Sequence, residues 1–255
     1  MTETWRMNDD ATRAADHYDA MGPAYADDVR THPVNAAYER PAMLTMAGDV
    51  RRKRVLDVGC AAGGLSALLM DRGADVVGID VSERMVEIAR RDLGGRAEFR
   101  VADTGRPMPF LADESFDLVT ASLVLHYLRD WAVPLREFHR VLRSDGALLI
   151  STHHPTQDVA IIDPPASYFD VTLLRDTWDK GGRDFEVHFY HRPLSAVVDA
   201  LADAGFVVER IPEPRPDPAA FIGLPGLYEQ MSRGPWFLFI RAVKSSTGGA
   251  ARTPG

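Results

Sequence analysis

Three carboxylates, Asp57, Asp80 and Asp103, each follow a short run of strand-forming residues in this 255-residue sequence. Because the carboxyl ends of parallel strands meet at one edge of a sheet, we expect the three side chains to lie near one another. Asp57 could face an ammonium group, Asp80 could accept both hydroxyls of a ribose, and Asp103 could take the exocyclic amine of an adenine. Such a set suits a ligand with an ammonium, a ribose and an adenine, and no phosphate.

A turn of small residues, from Gly59 to Gly64, follows the first of these strands. Small residues let the backbone approach a ligand closely and point free N–H groups at it. Taken alone the turn is ambiguous, because dinucleotide sites place Gly-x-Gly-x-x-Gly at the same point, and Gly59, Ala61 and Gly64 fit that pattern with alanine in the middle. An NAD-dependent oxidoreductase is therefore one alternative.

The elements that must position these residues alternate from Arg54 onward between strand-forming runs and amphipathic stretches, which is typical of βαβ units. A helix is predicted over 193–204, and helical signals also occur near 9–18 and 35–46. No stretch of crossover length is obvious before the last strand, so that strand is expected to be antiparallel. The predicted strands are 54–58, 75–79, 97–101, 116–120, 146–151, 206–211 and 236–240.

The predicted organisation is one α/β domain with additions. Residues 1–50 are expected to form a helical lid, and residues 51–244 the sheet domain. Within it, 153–192 is polar and contains prolines, and it is too long for a plain connector, so we interpret it as a substrate-side insertion or flap. The small, polar residues 245–255 are predicted to be a disordered tail.

Several segments together resemble the class I S-adenosylmethionine-dependent methyltransferases, in the small-molecule branch often labelled type 11. The resemblance spans roughly residues 15–243. It implies a doubly wound, Rossmann-like α/β fold whose seven-stranded sheet is mostly parallel with an antiparallel last strand, and S-adenosylmethionine as the cofactor. The matching segments are Val55–Cys60 with Gly63, Val77–Ser82 followed by Met85, Ala102–Asp103, Phe116–Val119 and Phe138–Gly146.

The predicted cofactor site joins the strand ends to the lid, where the resemblance places the hydroxyls of Tyr18 and Tyr25 near the methionine carboxylate. Met85 is explained equally well as a core residue. At Ala61 the family usually has glycine, and we expect the added methyl group to reduce clearance and leave binding intact. The predicted cofactor-binding residues are Tyr18, Tyr25, Asp57, Gly59, Ala61, Gly63, Asp80, Val81, Met85, Asp103, Thr104 and Ser122.

Methyl transfer from a sulfonium is an in-line displacement, so positioning supplies much of the acceleration. A base is needed only when the acceptor loses a proton, and histidine suits that role near neutral pH. The predicted candidates follow strands four and five or precede the helix at 193–204; in order they are His154, His126 and His191. For each of them a structural role is the alternative.

Metal and nucleic acid are not predicted as ligands. The adjacent His153 and His154 point to opposite sides of an extended chain, and no nearby carboxylate pair completes a metal site. The formal net charge of −8 argues against a nucleic-acid partner. The segment Asp163–Ala166 is similar to the Asp-Pro-Pro-Tyr motif of enzymes that methylate amines in nucleic acids, but it lacks the aromatic residue and follows strand five instead of strand four.

The expected activity is methyl transfer to an O, N or C atom of a small metabolite of secondary metabolism or quinone synthesis. Aromatic residues in the substrate-side segments favour an aromatic or hydrophobic acceptor. The alternatives are an NAD-dependent oxidoreductase and a non-catalytic protein that binds S-adenosylmethionine. With one cysteine, no signal-peptide pattern and no apolar run of membrane-span length, the protein is expected to be cytoplasmic, and a homodimer is compatible with the sequence.

Overall fold

The computed structural model describes residues 9–161, 167–179 and 182–245, without the side chains of 160 and 161. The Asp163–Ala166 motif lies outside the described residues. So do the first eight residues of the predicted lid and all but Ser245 of the predicted tail.

A seven-stranded sheet forms the centre of the protein. Its strands lie in the order β3-β2-β1-β4-β5-β9-β8, and β6 and β7 form a separate hairpin. Only β9 runs antiparallel to its neighbours in this sheet, β5 and β8; the other neighbouring pairs are parallel. The doubly wound fold and its antiparallel last strand are thus confirmed. The strands are β1 (Arg54–Val58), β2 (Asp75–Asp80), β3 (Glu98–Val101), β4 (Phe116–Ser122), β5 (Leu142–His153), β6 (Thr172–Asp179), β7 (Asp184–His191), β8 (Phe206–Arg210) and β9 (Phe237–Lys244).

Helices cover both faces of the sheet. A π-helical segment, Val34–Glu39, precedes the second helix, and short 3-10 turns occur at Leu125–Tyr127 and Pro218–Phe221. The helices are α1 (Asp9–Thr31), α2 (Arg40–Ala47), α3 (Gly64–Asp71), α4 (Glu83–Leu93), α5 (Ala132–Val141), α6 (Pro155–Ile161), α7 (Leu194–Asp203) and α8 (Pro225–Ser232). Among the described residues, none of these helices is long and apolar enough to cross a membrane.

Strand β1 shows why the sheet is buried on both faces. Its successive side chains point to opposite faces, and Val55 and Leu56 are both inaccessible to solvent. Leu56 belongs to the apolar cluster that contains Phe138 of α5, whereas Val55 belongs to the cluster that contains Leu69 of α3. A continuous apolar strand of this kind is typical of a parallel sheet covered by helices.

The N-terminal helix α1 contacts α4 and the hairpin strand β7. It bends at Gly22, whose φ of 46° and ψ of −130° are not helical, and Pro23 follows directly. Because proline removes a helical hydrogen bond, the bend is expected at this point. The bend brings both halves of α1 over the carboxyl ends of the strands, where Ala14 and Ala26 line a cavity.

The stretch 153–192, predicted as an irregular insertion, contains α6 and the β6–β7 hairpin. The hairpin pairs Thr172 with His191 and Asp179 with Asp184. Its regularity was not predicted, although the alternating burial of Val187, Phe189 and His191 in β7 is typical of a strand that is buried on one face. The hairpin stands beside the carboxyl edge of the sheet and walls part of the site described next.

Candidate active site

A cavity of about 480 Å³ opens where β1 to β4 end, and we call it the strand-end cavity. The residues predicted to bind a cofactor converge there, with one exception. Met85 is fully buried and packs against Ala26 and Ile88, behind the turn that carries Ala61. The predicted residues that line the cavity are Tyr18, Tyr25, Asp57, Gly59, Ala61, Gly63, Asp80, Val81, Asp103, Thr104 and Ser122.

The turn after β1 forms the floor of the strand-end cavity. Gly59 and Gly63 have φ angles of 69° and 81°, in the left-handed region that favours glycine. A Cβ on Gly59 would lie 2.6 Å from Cβ of Val124, so a side chain there is excluded by space as well. Ala61 also has a positive φ, 45°. The alanine therefore strains the backbone, a cost that the sequence expectation of reduced clearance did not include.

Asp80, at the end of β2, fastens this turn to the sheet. Its two carboxylate oxygens accept hydrogen bonds from the backbone N–H groups of Ala61, at 2.8 Å, and Ser82, at 2.9 Å. Burial raises the pKa of Asp80 to about 6, although these hydrogen bonds favour the charged form. Asp80 also lines the strand-end cavity.

Asp57, at the end of β1, is already satisfied by the protein. Oδ2 accepts a 2.6 Å hydrogen bond from Ser66 Oγ, and Oδ1 accepts one of 2.8 Å from Thr120 Oγ1. The residue is fully buried, and burial raises its pKa above the ordinary value. Each oxygen thus has a hydroxyl partner, so the carboxylate does not depend on a ligand ammonium for its hydrogen bonds.

Asp103, after β3, lies at the other end of the strand-end cavity. Its Oδ1 accepts a 2.8 Å hydrogen bond from Gly105 N, and Oδ2 lies 3.4 Å from Arg106 Nε. The residue is buried, and Thr104 beside it lines the cavity. Asp57, Asp80 and Asp103 therefore follow the order of their strands along the sheet edge.

Sequence reasoning missed four further charged residues of the strand-end cavity: Arg30 and Asp92, which form an ion pair, and Glu39 and Arg40. Glu39 is only 1% exposed, and its Oε1 accepts hydrogen bonds from Ser122 Oγ at 2.8 Å and Ser151 Oγ at 2.6 Å. The Arg40 guanidinium lies against Gly64, with Nη2 2.8 Å from where a Cβ on that glycine would be. Glu39 and Arg40 both fall in a predicted helix, and nothing in helical periodicity marks them.

Three tyrosines separate this cavity from a second one. The hydroxyls of Tyr18 and Tyr127 are 2.8 Å apart, and the ring of Tyr18 meets that of Tyr25 edge-on with centroids 4.8 Å apart. Burial raises the pKa of Tyr25 to about 12 and that of Tyr18 well above its usual range. The tyrosines are therefore neutral hydrogen-bonding groups at physiological pH.

The second cavity, of about 500 Å³, lies between the sheet edge and the β6–β7 hairpin, and we call it the hairpin cavity. It shares Tyr18, Tyr25, Leu123 and Tyr127 with the strand-end cavity, so the two adjoin. Leu123, directly after β4, has a positive φ of 49°, which is uncommon for leucine. The remaining wall combines ring-bearing and acidic side chains. The rings belong to His32, His126, His153, Trp178, Phe189, Trp236 and Phe237, and the carboxylates to Asp158, Asp176 and Asp179.

A histidine–carboxylate cluster stands in this wall. His153 Nδ1 lies 3.5 Å from Asp158 Oδ1, and His191 Nδ1 lies 3.5 Å from Asp158 Oδ2. The ring of His126 stacks on that of His153 with centroids 4.1 Å apart. Burial lowers the pKa of His126 well below its usual range, so this imidazole is neutral.

The structure separates the three histidines predicted as bases. His126 lines the hairpin cavity, whereas His191 is fully buried behind Asp158, with Nε2 2.8 Å from the carbonyl oxygen of Tyr168. His154 lies outside the lining of both cavities, with Nδ1 2.7 Å from Thr156 Oγ1. Its neighbour His153 lines the hairpin cavity instead. Strand β5 continues through His153, and the alternation of an extended chain turns only one of the pair toward the cavity.

No cluster of three or more His, Cys, Asp or Glu side chains that could hold a metal ion occurs in the described ranges.

A parallel sheet with a glycine turn after β1 and acidic residues at successive strand ends defines a nucleoside-binding α/β protein. Comparison with known proteins identifies the class more closely. The family described as "Methyltransferase domain" matches residues 56–150. An S-adenosylmethionine-dependent methyltransferase from Mesorhizobium loti superposes with a TM-score of 0.66 and 30% identity, over 82% of this chain and 99% of that one. The chain belongs to the S-adenosylmethionine-dependent methyltransferases and, within them, to type 11 of class I.

Two relatives in sequence complete the comparison. An uncharacterised protein of Haemophilus influenzae is 28% identical over 243 residues, covering 85% of this chain and 91% of that protein. A demethylmenaquinone methyltransferase of Clavibacter sepedonicus is 37% identical over 133 residues, covering 46% of this chain and 54% of that protein. This second match therefore spans only about half of the quinone-related enzyme. The protein is an enzyme that uses S-adenosylmethionine, and the NAD-dependent alternative is not supported.

Proposed function

We propose that this enzyme methylates a protonated oxygen or nitrogen atom of a small aromatic or hydrophobic molecule that binds in the hairpin cavity. The observation that carries the proposal is the position of this second cavity. It adjoins the strand-end cavity at Tyr18, Tyr25 and Tyr127, and a histidine–carboxylate pair stands in its wall.

The strand-end cavity fits the cofactor of the family. Its acidic lining suits a ligand that carries a sulfonium and an ammonium, and the Asp80 carboxylate is placed for ribose hydroxyls. Asp103 and Thr104 would face the adenine, with the turn after β1 beneath the ligand. When bound, S-adenosylmethionine supplies a methyl group on a positively charged sulfur, which is already activated toward a nucleophile.

The wall of the hairpin cavity supports a planar, largely apolar acceptor. Trp178, Phe189, Trp236 and Phe237 supply ring faces and edges that favour an aromatic molecule. A volume of about 500 Å³ is in the range of sites for drug-sized ligands. The named demethylmenaquinone relative, matched over about half of its length, supports a quinone-related ring in the acceptor and does not bear on which atom is methylated.

His153 is the side chain best placed to take the proton that such an acceptor loses. Asp158 is buried, and its Oδ1 lies 3.5 Å from Nδ1 without a hydrogen bond to it, so its charge would stabilise the imidazolium that forms. That arrangement leaves Nε2 for the acceptor. The neutral ring of His126, stacked on the other face, limits how the imidazole can tilt. A base of this kind is required by an O–H or N–H acceptor.

A screen for methyl acceptors tests the proposal. The purified enzyme is incubated with S-adenosylmethionine labelled in its methyl group and with separate panels of phenols, quinols, aromatic amines, aliphatic acids, nucleic acid and protein. We expect label in phenolic, quinolic or arylamine products. Label confined to nucleic acid, protein or aliphatic acids would contradict the proposal.

A further inference from the structure

The order of the strands indicates where the methionine part of the cofactor must lie. Asp103 and Asp80 follow β3 and β2, and the sheet continues from there to β1, β4 and β5. With adenine near Asp103 and ribose near Asp80, the rest of the ligand extends toward the ends of β1 and β4. Glu39 lies in that part of the strand-end cavity, because Ser122 at the end of β4 and Ser151 on β5 hold it there.

The Glu39 carboxylate has one oxygen to offer. Oε1 accepts both serine hydrogen bonds, whereas Oε2 has no hydrogen-bond partner among the residues that the structure describes. Glu39 is 1% exposed and lines the cavity. Burial raises the pKa of this carboxyl above its ordinary value, although the two serine hydrogen bonds and the charge of Arg40 favour the ionised form. A cation placed at Oε2 would favour the ionised form further.

The alternative partner for a cation, Asp57, is less suited. Each of its oxygens already accepts one hydrogen bond, from Ser66 or from Thr120, whereas Glu39 Oε2 accepts none, so Glu39 has the oxygen with more unused acceptor capacity. This is a change from the assignment made on sequence, in which Asp57 faced the ammonium. A π-helical segment contributes Glu39 instead, from 18 residues earlier in the chain.

We propose that Glu39 binds the ammonium group of the methionine part of S-adenosylmethionine, with Oε2 as the accepting atom. Ser122 and Ser151 are positioning residues that hold the carboxylate in place through Oε1.

Calorimetric titration of Glu39→Gln tests this. The amide oxygen can keep both serine hydrogen bonds, and an NH₂ group then replaces Oε2 and cannot accept from an ammonium. S-adenosylhomocysteine, the product form of the cofactor, should bind roughly 10- to 100-fold more weakly, as expected for loss of a hydrogen bond to a charged group. 5′-Methylthioadenosine has the same nucleoside and sulfur but no amino-acid part, so its affinity should change by less than about 3-fold.

A deaminated analogue of S-adenosylhomocysteine makes the test specific for the ammonium. Loss of the amino group should weaken binding to the wild-type enzyme but not to Glu39→Gln, since the variant has already lost its partner. Equal losses in both proteins would overturn the proposal. So would an unchanged affinity of Glu39→Gln for S-adenosylhomocysteine, or equal weakening of that ligand and methylthioadenosine.

Ser151→Ala covers the case in which Glu39→Gln does not fold. It keeps the negative charge and removes one of the two donors that position it. We expect a smaller loss, roughly 2- to 10-fold, for S-adenosylhomocysteine and none for methylthioadenosine. No difference between the two ligands would overturn the positioning role and with it the proposal. If the wild-type enzyme bound neither ligand, the cofactor assignment itself would fail, which is a distinct result.

Discussion

Ser66 Oγ donates a 2.6 Å hydrogen bond to Asp57 Oδ2, so the first helix after the glycine turn is tied to the end of β1 through a buried carboxylate. The second oxygen of Asp57 is held by Thr120 of β4. One acidic side chain thus joins β1, α3 and β4 beneath the strand-end cavity. The contribution of this Asp57 network to the stability of the fold can be measured through the free energy of unfolding.

Ser66→Ala should lower the free energy of unfolding by about 1–3 kcal/mol, because it leaves a buried carboxylate with one partner fewer. Denaturant titration measures this. Ser232→Ala is a matched control, since Ser232 is exposed and donates only to a carbonyl of its own helix; its effect should stay within about 0.5 kcal/mol. A Ser66→Ala variant as stable as the control would contradict the structural role of Asp57.

Ala61→Gly should relieve the strain at φ 45°. The left-handed conformation costs alanine roughly 1–2 kcal/mol, and the greater freedom of glycine in the unfolded chain offsets about 0.5–1 kcal/mol. We expect the free energy of unfolding to rise by about 0.5–1 kcal/mol, with affinity for S-adenosylhomocysteine changed by less than roughly 3-fold.

The control for this variant is Ala62→Gly. Ala62 has a negative φ, so the same substitution relieves no strain and should cost about 0.5–1 kcal/mol. The two variants should therefore change the free energy of unfolding in opposite directions in the same denaturant titration. A loss of stability in both would show that the backbone at Ala61 is not strained.

The central strands of the sheet, such as β1 and β4, were predictable because they are buried on both faces, whereas the edge strands β3 and β8 are partly exposed. Each of the seven runs expected from the sequence corresponds to a strand of the sheet, and the boundaries differ by four residues or fewer. The hairpin at 172–191 was not predicted, although Phe185, Val187 and Phe189 alternate with more polar residues in β7. Such alternation is typical of a strand that is buried on one face only.

Site residues that lie at the end of a strand were predictable from the sequence. Residues that reach the site through contacts with segments far away in the sequence were less so. Asp80 and Asp103 line the cavity as their positions after strands implied. Glu39 reaches it only because Ser151, 112 residues later in the chain, holds its carboxylate. The sequence placed both His153 and His154 after strand five. Because side chains of a strand point alternately to opposite sides, the residue at which β5 ends decides which of the two rings faces the cavity.

Affinity for S-adenosylhomocysteine should fall as the pH drops below about 6, the pKa to which burial raises Asp80. Ribose hydroxyls donate to the ionised carboxylate, so ligand binding favours loss of the proton. The raised pKa of Asp80 also affects the free energy of unfolding of the ligand-free protein. Its stabilising contribution is present at low pH, where the carboxyl is protonated, and is lost as the pH rises through about 6.

Calorimetry between pH 5 and 8 in two buffers of different ionisation enthalpy measures both the affinity and the protons released. Protons should be released near pH 6, and the affinity should fall by at most about tenfold per pH unit for each carboxylate that titrates. An affinity that is constant down to pH 5, with no proton release, would show that the Asp80 carboxylate does not take part in binding.

His153→Ala should lower kcat roughly 100- to 10,000-fold for an acceptor that loses an O–H or N–H proton, the range typical of general-base catalysis. Asp158→Asn should lower it less, because the imidazole is kept but the carboxylate 3.5 Å from Nδ1 is neutralised. Affinity for S-adenosylhomocysteine should be unchanged in both variants, since neither residue lines the strand-end cavity. A lowered kcat with unchanged affinity for S-adenosylhomocysteine indicates a role in proton transfer, because a loss of folded enzyme would reduce cofactor binding as well.

His154→Ala distinguishes between the base that the structure favours, His153, and the base ranked first from the sequence, His154. His154 lies outside the lining of the hairpin cavity and bonds to Thr156 next to it, so its replacement should lower kcat by less than roughly 3-fold. Larger losses in His154→Ala than in His153→Ala would reverse the assignment.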